Sequence, residues 1–192
     1  MKQDALEHCE SGQASPLYIF VVASLLFLAF AFFAVGQAGA TRNGAQSAAD
    51  AAALAAAREQ RDTFDLTIDD LGDLLDGELI PALDGCGASR YYAGQNQADV
   101  VGCDPLSDGR WGSTVSVTSQ KPVGDTILPG TETRFAEATA TAIVVPRCSF
   151  DPAEDADSPS SGSLDCEGDV TDLDPALLPD MSDLFEVRLA ED

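Results

Sequence analysis

The sequence predicts an α+β protein in which a long N-terminal transmembrane helix continues into a small extracytoplasmic domain of helix plus antiparallel β. Three observations predict it. Residues 11–41 carry no charged side chain, and residues 17–35 form a nearly unbroken apolar run. Residues 45–61 are dominated by alanine and contain no Pro or Gly. Residues 133–145 then alternate strictly, with Ala136, Ala138, Ala140, Ala142 and Val144 on one face and Phe135, Glu137, Thr139, Thr141 and Ile143 on the other.

The apolar run has the length a helix needs to cross the bilayer core, about 20 residues. Pro16 stands at its start, where a missing N–H costs nothing because first-turn donors are unpaired anyway. The helix is expected to pass beyond the membrane, because alanine is the strongest helix former. One helix from Pro16 to Arg61 would be roughly 70 Å long. Gly36, Ala40, Gly44, Ala48, Ala52 and Ala56 recur every fourth residue along it. Such a small-residue stripe lets helix backbones approach closely, so these six positions form the expected helix-packing seam.

Residues 64–83 repeat Phe64, Ile68, Leu71, Leu75, Leu79 and Leu83 at helical spacing, which predicts a second, core-facing helix that Gly72, Gly77 and Pro81 weaken. Past Cys86 the pattern becomes β. Val115 and Val117 share one face of residues 114–119, and residues 185–189 read as a last short strand. Residues 150–183 are rich in Asp, Ser, Pro and Gly without periodicity and read as loop or disorder. The expected organisation is a cytoplasmic leader at 1–12, a transmembrane helix at 13–40 and a helical stem at 41–85. A small β-containing domain at 86–149 and an acidic, loop-rich region at 150–192 follow.

Net charge is −23, with 9 Lys+Arg against 30 Asp+Glu after residue 40. A surface of that sign repels nucleic acid, so no nucleic-acid partner is expected. Cys86, Cys103, Cys148 and Cys166 lie beyond the apolar run, whereas Cys9 precedes it. Four such cysteines point to an oxidising compartment and two disulfides. Of the three connectivities, Cys86–Cys103 with Cys148–Cys166 closes the shortest loops. Zinc is disfavoured: no CxxC occurs, and the only histidine, His8, precedes the apolar run.

Ala38-Gly39-Ala40 has the form of a signal-peptidase site, but the apolar run is too long and its leader too acidic for a signal peptide, so a retained anchor is expected. Arg42, Arg58 and Arg61 would by themselves hold the large domain in the cytoplasm; the placement of the cysteines points the opposite way.

Without a histidine after residue 8, neither a Ser-His-Asp nor a Cys-His arrangement can form in the large domain. No nucleotide-binding or hydrolase motif is present. Asp169, Asp172 and Asp174 lack the EF-hand spacing and read as solvated acids. No enzyme, cofactor or metal is expected.

A short polar leader ending in Gly12, an apolar helix, and then the stretch 36–57, strongest in Ser47-Ala48-Ala49-Asp50-Ala51-Ala52-Ala53-Leu54, resemble the TadE/TadG-like proteins of Tad/Flp pilus-assembly loci. The near absence of lysine, with only Lys2 and Lys121, resembles actinobacterial members. The resemblance implies a pseudopilin-like role in a Tad/Flp-type pilus or related secretion system, with the leader cytoplasmic and the domain outside. It implies cleavage after Gly12 by a prepilin peptidase. It also implies association with the membrane, with other pilin-like or assembly proteins, and with further copies of the chain. One departure stands out: pilins carry Glu five residues after the cut, and this chain carries Leu17. The competing reading is a membrane-anchored or secreted extracytoplasmic binding module.

Overall fold

A computed structural model describes residues 14–122, 124, 130, 132–153, 161–174 and 176–191. The expected architecture is observed: one long apolar helix followed by a small domain of helices and antiparallel sheets. Helix α1 runs without interruption over Ala14–Asp62, 49 residues or about 74 Å. No Pro follows Pro16 within it, and a backbone N–H removed at Pro16 would have had no partner.

The second half of α1 is the core of the domain. Ala45, Ala48, Ala49, Ala52, Ala53, Ala56, Ala57 and Gln60 are buried at spacings of three and four. That broad face of small side chains lies on a four-stranded antiparallel sheet ordered β1 (Ala98–Pro105), β2 (Gly112–Ser119), β3 (Glu137–Pro146), β7 (Phe185–Leu189). Register pairs Val115 with Ala140 and Ser113 with Ala142, so the buried Val115, Val117, Ala140, Ala142 and Val144 face the helix together. The other face carries cross-strand hydroxyl pairs, Thr114 with Thr141 (2.9 Å) and Ser116 with Thr139 (2.8 Å). This is the one-face-buried alternation of an antiparallel sheet. Alanine on both sides lets helix and sheet approach closely. Trp111 closes the end of the core away from the N-terminal half of α1, edge-on to Phe64 (6.2 Å) and Phe185 (5.5 Å).

The second helical pattern is shorter than expected. Helix α2 covers only Ile68–Leu75. Gly72 is tolerated inside it; Gly77, at φ +75°, ends it, with Glu78 and Leu79 N–H both donating to the Asp73 carbonyl. Leu71, Leu74 and Leu75 are its buried residues. Phe64 and Leu79 pack at the core's margin from outside the helix.

Helix α3 (Cys86–Gln95) was not expected in a region whose texture reads as β. It runs back along α1, antiparallel to it. Glu59 accepts from the Ala88 N–H (2.7 Å) at its start, a carboxylate where a helix N-terminus favours one. Gly85 allows the entry: a Cβ there would stand 2.0 Å from the Ala56 carbonyl oxygen. Gln60, fully buried, donates through Nε2 to the Leu83 carbonyl (2.6 Å) and to Ser113 Oγ (2.9 Å), tying α1, the α3 approach and β2 together.

Part of residues 150–183, which read as loop or disorder, is strand. A second antiparallel sheet is built from β4 (Cys148–Pro152), β5 (Gly162–Cys166) and β6 (Asp169–Asp172). Its strands are short and largely exposed, which hides the period-2 signal. It is held by a cross-strand Cys148–Cys166 disulfide, by buried Leu164, and by a two-residue turn, Glu167-Gly168, with both φ positive (58° and 98°). The other disulfide, Cys86–Cys103, joins the start of α3 to β1. Strand β7 follows the short helix α4 (Met181–Leu184), whose Leu184 is buried.

Candidate functional site

The chain's own domain buries α1 chiefly from Ala45 onward. N-terminal to that point Ala34 is buried, but most of the helix's apolar side chains are exposed: Leu17, Phe20, Phe27 and Phe32 are each more than two-thirds accessible. Among the described residues, α1 is the one helix long and apolar enough to cross a membrane.

The six seam positions divide into two sets. Ala48, Ala52 and Ala56 are fully buried against the chain's own domain. Ala40 is exposed, and a Cβ added at Gly36 or Gly44 would meet nothing within 4 Å. The inner half of the stripe is therefore spent on folding, and the outer half is open. Gly12, Cys9 and His8 lie outside the described residues, as does the whole leader.

At the junction, a cleft of about 300 Å³ separates the α1 turn at Ala40, Thr41, Gly44 and Ala45 from Asn96, Gln97, Ser119 and Lys121. The Thr41 hydroxyl donates to the Gln37 carbonyl (3.1 Å) on the helix beside it. The cleft's residues come from three distant stretches, and no local motif announces them. The one signal in the sequence is Lys121, the sole lysine after residue 2.

Elsewhere the surface is acidic. The ion pairs among the described residues are Arg61–Asp62, Arg110–Asp108 and Arg147–Glu167. The Arg110 side-chain hydrogen bond holds the Asp108 carboxyl below its ordinary value, and both groups are solvent-exposed turn residues. Among the described residues no three His, Cys, Asp or Glu side chains gather as a metal site, Asp169, Asp172 and Asp174 included. A groove of about 420 Å³ near them is lined by Leu164, Leu173, Leu177 and Leu184 and rimmed by Asp172 and Asp183.

An exposed apolar helix that becomes the core helix of its own domain defines a class of stalked proteins, in which one element is both stem and scaffold. Residues 12–59 match the family model described as putative Flp pilus-assembly TadE/G-like, the family that the leader, helix and alanine-rich stretch resemble. The match covers the free helix and the buried stem, about a quarter of the chain, and associates the chain with pilus assembly in general. Comparison with curated proteins and with solved structures returned no match.

Proposed function

We propose that this protein is a structural component of a Tad/Flp-type pilus-assembly system, anchored by α1 with its N-terminus cytoplasmic and its domain outside, and that it acts by helix packing without catalysis. The observation that carries this reading is the open half of the seam. Gly36, Ala40 and Gly44 are exposed along one side of α1, and a Cβ added at Gly36 or Gly44 would meet nothing within 4 Å. In the bilayer, which Gly36 borders, apolar burial gives helices no drive to associate, and close van der Waals packing at small residues supplies it instead; Ala40 and Gly44 continue the same stripe just beyond it. The two disulfides support an oxidising location for the domain.

Site-directed crosslinking tests this. In a Cys9→Ser background, single cysteines at positions 36, 40 and 44 are expected to crosslink in membranes to pilin-like partners or to a second copy. Cysteines at 48 and 52 are expected to stay silent, because the domain covers them. Silence at all five positions refutes the packing reading.

The second reading, an anchored binding module, is favoured by the leucine-lined groove, where Leu177 is 77% exposed. Substituting Leu177→Asp separates the two. Loss of pilus assembly through Leu177→Asp, with Gly44→Leu harmless, would favour the module.

A further inference from the structure

We propose that the cleft at the foot of the domain is a phospholipid-headgroup site, with Lys121 the counter-ion of the lipid phosphate. The inference rests on α1 spanning a membrane.

Geometry brings the two surfaces together. The apolar run ends at Val35, and the helix wall of the cleft starts at Ala40, five residues on. Five residues of helix rise about 7.5 Å. The headgroup layer occupies about 5–7 Å beyond each face of the hydrocarbon core. The cleft thus opens where the headgroups end, and a lysine's flexible stem reaches across the remaining gap. Ala98 and Ser119 are register partners at this end of the sheet. Asn96, Gln97 and Lys121 therefore stand on the rim that faces the membrane, and their cleft with α1 is open.

Charge agrees with position. The protein carries −23 overall, which holds most of its surface away from anionic lipid. At the foot lie Arg42, Lys121 and Arg134; like Arg58, Arg90 and Arg188 elsewhere, none takes part in the ion pairs among the described residues. Among the described residues, the carboxylates here are Asp99, Glu132 and Glu137. Asp99 already accepts from Gln120 Nε2 (3.0 Å), and Glu132 accepts from the Gly130 N–H (2.8 Å). Side-chain amides of Asn96 and Gln97 add neutral donors at the cleft. The Asn96 amide also donates to the Tyr92 carbonyl (2.8 Å), which holds it in place. A foot nearly neutral in its described residues, under an acidic body, would settle the domain upright on a phosphate layer.

The test uses the full-length chain with Cys9→Ser, both disulfides intact, in phosphatidylcholine vesicles containing phosphatidylglycerol. Fluorophores are attached at Asn96→Cys, at the distal Glu78→Cys, and at Phe27→Cys within the apolar run. Headgroup spin-labelled lipid is expected to quench the label at 96 and leave that at 78 unaffected. Quenching at 96 is expected to be stronger with labelled phosphatidylglycerol than with labelled phosphatidylcholine. Lys121→Glu should lower that preference about fivefold or more, since each basic residue near the surface contributes about a fivefold attraction, and Lys121→Arg should retain it. A label at 96 no more quenched than at 78, while acyl-chain spin label quenches 27, overturns the headgroup site alone. Failure to quench 27 overturns the membrane reading beneath it. An unchanged preference in Lys121→Glu overturns the role of Lys121. In lipid-free detergent, inorganic phosphate should leave the label at 96 unchanged; a saturating shift would reassign the cleft to free phosphate.

Discussion

Ala52→Leu and Gly44→Leu add side chains to the same stripe, two turns apart, and should have opposite consequences. Ala52 is fully buried between α1 and the sheet, beside a face built from alanine and valine. Leucine adds three heavy atoms where there is no free space, and overpacking of this kind costs typically about 1–3 kcal/mol. Against a total stability of about 5–15 kcal/mol that is a large fraction. For a domain of this size each kcal/mol moves Tm by about 2–4 °C, so a fall of about 2–12 °C is expected. At Gly44 a Cβ meets nothing within 4 Å. Leucine there replaces the poorest non-proline helix former, so helix propensity improves by about 0.8 kcal/mol or less and Tm should hold or rise slightly. The assay is near-UV circular dichroism of the full chain in detergent during heating. Trp111, packed edge-on to Phe64 and Phe185, reports the core. Equal destabilisation by the two substitutions, or none by Ala52→Leu, would refute the division of the stripe into a folded half and an open half.

Other expectations follow from the same packing. Gly85→Ala should destabilise the domain by about 1–3 kcal/mol in the same melt, because the new methyl falls on the Ala56 carbonyl and α3 must move. Replacing Cys148 and Cys166 together by serine should cost about 3 kcal/mol, the chain-entropy value for a loop of this size, and should loosen β4–β6 first, seen as faster amide exchange there than in β1–β3. In intact cells a membrane-impermeant maleimide should label the domain only after reduction and leave Cys9 unlabelled; labelling of Cys9 alone would invert the orientation.

The parts of this fold that were legible in the sequence are those with strong contrast. A charge-free stretch of 31 residues and the alternation around Ala140 are not masked by anything nearby. The long helix, β2, β3 and β7 follow from them. Helix α3 was hidden because the residues it buries, Cys86, Ser89 and Ala93, are small and give little hydrophobic contrast with their neighbours. Strands β4–β6 were hidden for a different reason. Their cohesion comes from a disulfide, one leucine and a turn, and their Asp-rich exposed faces look like linker. The seam's periodicity was visible, but where it passes from covered to open depends on how far the sheet reaches along α1. The foot cleft was illegible, because Ala40, Gln97 and Lys121 meet only through the tertiary fold. One consequence is practical: Ala48→Leu, which the stripe alone recommends as an assembly mutant, reports on folding, because Ala48 is buried in the chain's own core.

The most direct test of the central claim, that this protein serves pilus assembly through the open half of its helix, is to count surface pili in cells carrying Gly44→Leu, Gly44→Ala or a deletion. Deletion and Gly44→Leu should both abolish or sharply reduce pili, with the Gly44→Leu protein present at normal level and melting like the wild type, while Gly44→Ala, which keeps a small residue in the stripe, should assemble them. Normal piliation in the deletion strain, or in Gly44→Leu, would contradict it.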